Sequence, residues 1–431
     1  MVMDGKSSSS SNANGNNDDN NNNNFPVSGA RETTPLLPRK DSLSSQPKTF
    51  ANVFIAVVGA GVLGLPYTFK KTGWITGSIM ILAAAALTNH CMMLLVYTRR
   101  KLQCPFKFSN ISSFGDLGYA VCGSHGRLAV DFLIILTQAG FCIGYTIFIG
   151  NTLAHLFVNS FSYTAISAKT LYVWATLPFQ LGLNAIPTLT LLAPLSIFAD
   201  IIQIGAMCVV LFEDVRLFMT YMPPVRPFGS LSWTLYGLGV AVYSFEGVGM
   251  ALPLESETRN KSKYGRVLAL TMFLIAVLYA VFGSFGYFAF GENTRDIITS
   301  NLGKGWLSTI VQLSLCVNLL ITLPLMMQPV YEVFERRFWE GCYCLWIRWL
   351  LVLVLILIAL MVPNFTDFLS LVGSSTCCVL GFVLPALFHY LTFKDEMGRK
   401  EAYKDIGIIV LGVVLGVTGT WSSISEIASS S

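Results

Sequence analysis

The sequence predicts an all-α integral membrane protein of about eleven transmembrane helices, and three observations predict it. Of its 431 residues, 53% are hydrophobic and only 12% are charged, far from the balance of a soluble domain. Apolar stretches of about 20 residues, the length that crosses a bilayer core as a helix, follow one another from residue 49 to residue 421. Lys and Arg are distributed unequally between alternate connections.

The elements follow in chain order. Residues 1–47 are Ser, Asn and Asp runs followed by Pro-rich sequence. They hold too little apolar surface to offset ordering entropy and are predicted as a disordered tail. No short apolar stretch with a small-residue cleavage site follows Met1, so the first span is expected to direct insertion itself. Spans are expected at about 49–69, 73–97, 127–158, 169–186, 188–213, 232–253, 266–290, 306–330, 345–362, 366–391 and 405–421. The split at Pro187 and the short, Gly-rich last span near Trp421 decide the side of the C-terminus.

Positive loops stay cytoplasmic. If the N-terminus is cytoplasmic, Lys70, Lys71, Lys169, Arg216, Arg226, Arg295 and Lys304 fall on the opposite side, seven of the 28 Lys and Arg. The other 21 are then cytoplasmic. An odd number of crossings leaves the C-terminus lumenal or outside. Cys104, Cys122, Cys342 and Cys344 fall in cytoplasmic loops and the other cysteines in spans, so structural disulfides are not expected.

Span one contains Val57-Val58-Gly59-Ala60-Gly61-Val62-Leu63-Gly64-Leu65-Pro66, with three glycines at mid-membrane. Each costs about 1 kcal/mol relative to Ala in a helix. Span six contains Ser244-Phe245-Glu246-Gly247-Val248-Gly249-Met250-Ala251-Leu252-Pro253, again Gly-x-Gly before Leu-Pro. Matched interruptions in spans one and six are what two five-helix repeats of opposite orientation produce, here at about 49–213 and 232–391 with the eleventh helix appended. Unwinding frees backbone amides and carbonyls. Those near Gly59, Ala60 and Gly61 suit a substrate carboxylate, and carbonyls near Phe245 suit an ammonium group. Close packing of small residues is the alternative use of such a pattern.

Glu246 at the centre of span six and Asp200 midway along span five are intramembrane carboxyls, expensive there unless they face the bundle interior or water. Glu246 is the candidate for coupling proton occupancy to the broken helix, with Asp200 the second such group. Tyr145 follows Asp131 and Gln138 on span three and is the candidate cavity-lining residue. Asn318 with Thr322, and Gln180 with Asn184, lie four apart on their helices and suit interhelical hydrogen bonds. Tyr287, Phe288 and Phe290 read as membrane-interface anchors. No metal-ligand spacing, nucleophile elbow, phosphate loop or redox motif is found in any loop, and no loop is long enough to fold an enzymatic domain. Catalysis, a cofactor and nucleic-acid binding are therefore not expected.

Phe50-Ala51-Asn52, the run from Gly59 to Tyr67 and Phe245-Glu246-Gly247 together resemble the amino acid/auxin permease family over about residues 48–425. The likeness is nearest to the plant vacuolar amino acid transporters. The resemblance implies a leucine-transporter-like 5+5 fold, no cofactor, and proton-coupled movement of small neutral amino acids such as Ala and Pro from vacuole to cytosol. Gly59, Ala60, Gly61, Val62, Leu63 and Gly64 match the substrate-binding break, and Ser244, Phe245, Glu246 and Gly247 its partner. Ile55 stands where sodium-coupled relatives often have a polar residue, which favours protons. Glu32, Leu36 and Leu37 match an acidic dileucine sorting signal, implying an adaptor at the tail and residence in the vacuolar membrane. A membrane amino acid sensor with little flux, or a plasma-membrane importer of auxin or aromatic amino acids, are the alternatives.

Overall fold

The computed structural model describes residues 44–103, 111–157, 167–187, 189–303, 305–339 and 341–430. Glu32, Leu36 and Leu37 lie outside the described residues.

Span one is two helices. α1 (Gln46–Val57) ends at Val58, and extended backbone at Gly59 (φ −130°, ψ −168°) interrupts the hydrogen-bond ladder. A tight 3-10 turn, Ala60–Gly64, leads into α2 (Leu65–Thr72), whose Pro66 occupies the first turn, where no amide donor is needed. The two halves are bent by 51°. Ser44 is bridged to Thr258 and α1 starts at Gln46, so residues 44–47, read from sequence with the tail, pack with the helices.

α3 (Trp74–Gln103) follows as predicted, but α4 (Phe114–Leu156) starts well before residue 127. A capping box starts it: the Ser113 hydroxyl accepts from the Asp116 amide and the Asp116 carboxylate from the Ser113 amide. Gly123, at φ +65°, then kinks the helix, so Cys122 belongs to a short helical arm rather than a loop. α5 (Ala168–Asn184) and α6 (Leu189–Tyr221) divide at Pro187 as expected. α6 continues past the predicted residue 213, which carries Asp214 into the packed interior.

Span six mirrors span one. α7 (Leu231–Ser244) stops, Val248–Met250 makes a short 3-10 turn, and α8 (Ala251–Glu257) continues beyond it. α9 (Tyr264–Phe290), α10 (Trp306–Phe338) and α11 (Leu345–Met361) come next. Span ten is α12 (Phe365–Val372), two wide π-helical stretches at Gly373–Cys377 and Val379–Val383, and α13 (Leu384–Phe393). At Gly373 a Cβ would run into the Gly239 carbonyl oxygen, so spans six and ten touch backbone to backbone. α14 (Arg399–Ser430) ends the chain's described part and is longer than the expected 405–421.

Among the described residues, seven helical runs and the bent pair of span one are long and apolar enough to cross a bilayer. α5, α6 and α11 fill the other three predicted places. The apolar stretch within Leu231–Glu257 is mostly buried whereas that within Arg399–Ser429 is mostly exposed, which puts the broken span six at the centre and α14 at the rim. Large apolar side chains such as Phe212, Phe273 and Trp346 face outward, where lipid is their solvent.

The start of span one and the end of α14 lie on opposite faces. Ser44 exchanges backbone hydrogen bonds with Glu257 (2.8 Å) and Arg259 (3.1 Å). On the same face Glu255 is fully buried between Arg99 and Arg100. Lys71, at the far end of span one, pairs with Glu426 at 3.4 Å. Tyr287 is a correction to the anchor reading: it is fully buried, and its hydroxyl accepts the Arg226 amide at 2.9 Å.

Candidate functional site

The two breaks meet at a cavity of about 90 Å³. The last turn of α1 and residues Gly59, Ala60 and Gly61 form one wall. Tyr243, Ser244 and Glu246 form the facing wall at the end of α7. Three intact helices complete it: α4 through Phe141 and Tyr145, α6 through Asp200 and Gln203, and α10 through Asn318, Leu319, Thr322 and Met326.

The backbone at the break is held by a residue far away in sequence. The Tyr279 hydroxyl of α9 donates to the Val57 carbonyl at 3.3 Å. One phenol therefore satisfies a carbonyl left free where α1 stops. Beyond it, the turn starting at Ala60 directs its leading amides, which have no intrahelical acceptor, along the cavity wall. The glycine at 61 is required by close approach: a Cβ there would lie 2.8 Å from the Ser244 hydroxyl oxygen and 3.1 Å from Ser244 Cα. In span six Glu246 stands at the break, two residues before the 3-10 turn that begins at Val248.

Polar groups line the α6–α10 side. The Asn318 amide donates to Gln203 Oε1 at 2.9 Å, and the Thr322 hydroxyl donates to the Asn318 carbonyl at 2.9 Å. Gln203 Nε2 and the Tyr243 hydroxyl are buried with no hydrogen-bond partner among the described residues. An unpaired donor is costly in a dry interior, so these atoms are suited to meet a guest. The apolar part of the lining comes from Val57, Phe141, Leu319 and Met326.

Of the residues singled out from sequence, Gly59, Ala60, Gly61, Tyr145, Ser244, Glu246 and Asp200 line this one cavity. Val62, Leu63 and Gly64 do not. They pack beyond it, with Gly64 against Thr366 and Leu369. Phe245 faces away, fully buried with its ring 5.2 Å from that of Tyr279. Gly247 faces Val57 and Met92. Asp131 leaves the stripe it was read with and pairs with Arg336 at 2.8 Å. Gln203, Tyr243, Phe141 and Met326 were not anticipated. Gln203 lies three residues after Asp200 on the same helical face, the one signal that marked it.

Known proteins place this geometry. Residues 43–425 match the family described as transmembrane amino acid transporter protein. Amino acid transporter AVT3B of Arabidopsis thaliana is 62% identical over 406 residues, covering 92% of this chain and 97% of the relative. AVT3A of the same plant is 57% identical, covering 93% of each. Amino acid transporter ANT1, also from Arabidopsis thaliana, is 35% identical, covering 88% and 92%. Among solved structures, the inward-facing conformation of Mhp1 superposes with a TM-score of 0.61 at 12% identity, covering 91% of this chain and 93% of that one. MhsT in complex with L-phenylalanine gives 0.51 at 11%, covering 89% and 99%. Those two likenesses are of fold, and they carry the leucine-transporter-like architecture that the family resemblance implied. By its match over nearly the whole chain and by relatives that it covers end to end, this protein belongs to the transmembrane amino acid transporter family, the amino acid/auxin permeases.

Proposed function

We propose that this transporter carries small neutral amino acids, such as alanine and proline, out of the vacuole into the cytosol together with protons. One observation carries the reading: a cavity of about 90 Å³ lies where both helix breaks meet, with the Glu246 carboxyl in its wall. The space is far below the several hundred Å³ of a drug-sized pocket, which favours a substrate of few atoms. The substrate carboxylate binds the leading amides at Gly59, Ala60 and Gly61, and its ammonium group binds carbonyls at the end of α7. The wall formed by Phe141, Leu319 and Met326 favours an uncharged side chain.

Glu246 takes up the coupled proton, and Asp200 across the cavity is the second acceptor. In neutral form Glu246 is tolerated at mid-membrane. In ionised form it draws on the freed backbone groups of span six, so its protonation biases the broken helix between arrangements. The charge distribution favours a cytosolic N-terminus and a lumenal C-terminus. Protons leaving an acidic vacuole then run in the direction of the cargo. The dileucine match at Glu32, Leu36 and Leu37 supports sorting to the vacuolar membrane through an adaptor.

The test is uptake of radiolabelled alanine into liposomes holding the purified protein under an imposed pH gradient. Accumulation that collapses with a protonophore is expected. Equal flux with the gradient abolished would end the coupling proposal, and equal flux of lysine, glutamate or phenylalanine would end the small-neutral one.

A further inference from the structure

Asp214 stands outside the cavity already described. It lies on α6, fully buried, and neither carboxyl oxygen has a hydrogen-bond partner among the described residues. The other buried carboxyls on the lumen-facing half are engaged: Asp367 accepts from Tyr236 and Asn364, and Asp296 from the Phe365 amide.

Three elements enclose Asp214. A Cβ on Gly286 of α9 would lie 3.4 Å from Asp214 Oδ2, and the same point is 2.6 Å from Pro66 of α2. One turn towards the membrane surface, Phe218 packs against Phe285 and Phe288 at 6.1 and 5.4 Å, with Trp74 edge-on to Phe288. One turn the other way, Val210 is fully buried. On its own helix the charged neighbour is Glu213, a like charge. α2 and α9 turn Pro66 and Gly286 towards it. Of the titratable groups on these helices, Lys70 donates to the Thr294 carbonyl, Tyr287 accepts from Arg226, and Tyr67 lies towards Asp367, Glu426 and Asp296. α10, which also packs on α6, carries no charged residue before Glu332. Among the described residues no cation pairs with Asp214, and no donor serves it.

An ionised carboxylate in such a place is far more costly than the neutral acid. We propose that Asp214 is a second proton-binding site of the transport cycle, separate from the substrate cavity. It holds a proton in the described conformation and exchanges it only when α2 and α9 part from α6. The step is simple proton transfer: the carboxyl O–H bond breaks, the proton passes to a water molecule that reaches the opened seam, and the carboxylate keeps the electron pair. Burial at the seam between the second half of the broken span and α6 is what links this proton to helix movement. The proposal rests on the proton-coupled reading above but uses a different residue.

Two measurements on the purified full chain test it. In liposomes, the alanine flux of the parent protein is expected to change by up to about tenfold per pH unit on the Asp214 side, as for one linked proton. Asp214→Asn is expected to flatten that response, and Asp214→Glu to restore it. In detergent, the folded protein holds a proton that the unfolded chain releases. Thermal stability therefore falls as pH rises, and Asp214→Asn makes that fall shallower by the share of one proton. An Asn variant with the parent's pH response in both measurements would overturn the site. If the parent's flux ignores pH altogether, proton coupling fails. The stability comparison still decides whether Asp214 binds a proton.

Discussion

Gly61 and Ser244 approach so closely that a methyl group on Gly61 would sit 2.8 Å from the Ser244 hydroxyl oxygen. The two broken spans are therefore in contact through a glycine and a serine that cannot be enlarged without moving one span. Gly61→Ala is expected to reduce alanine uptake by up to roughly 100-fold, the loss a misplacement of about 1 Å can cause. Ser244→Ala in the same chain removes the nearest atom and should recover part of the loss. Uptake by the single and double variants, normalised to folded protein from size-exclusion chromatography, checks this.

Glu246→Gln keeps the shape of the side chain and removes its titration. Uptake by this variant should lose its dependence on the pH gradient while the folded yield is kept. Normal gradient-driven accumulation would assign coupling elsewhere.

Tyr279→Phe leaves the Val57 carbonyl without the hydroxyl that donates to it. A buried backbone group loses its partner, so a cost of about 1–3 kcal/mol is expected. A lower apparent Tm in detergent, with a weaker response to added alanine, is the measurable outcome.

Glu255→Ala strands Arg99, which is buried and donates to the Leu252 carbonyl at 2.9 Å. Breaking a buried pair by removing one partner costs about 3–5 kcal/mol. Loss of folded protein is expected, and Glu255→Asp should recover more of it than Glu255→Gln.

The spans were legible because lipid demands long apolar stretches, and Pro187 marked the division between α5 and α6. The start of α4 was not legible. Its arm from Phe114 to Cys122 is too short and too polar for hydropathy, and only the Gly123 kink joins it to the span. At the site, Gly59, Gly61 and Glu246 stood out because glycine and carboxyl are unusual at mid-membrane. Tyr279 and Gln203 did not, because a tyrosine or glutamine on an intact helix signals nothing until packing brings it to the break. Val62 to Gly64 were included because the motif is continuous in sequence. The 3-10 turn rotates them away from the cavity.

The paired ends of span one set the chain's two extremities apart. Ser44 sits with Glu257 and Arg259, and Glu426 sits with Lys71 across the membrane's thickness. Each extremity thus samples its own aqueous phase. A ratiometric pH reporter attached ahead of Ser44 and another attached after Glu426 would read the two sides of the membrane separately from a single molecule as it turns over.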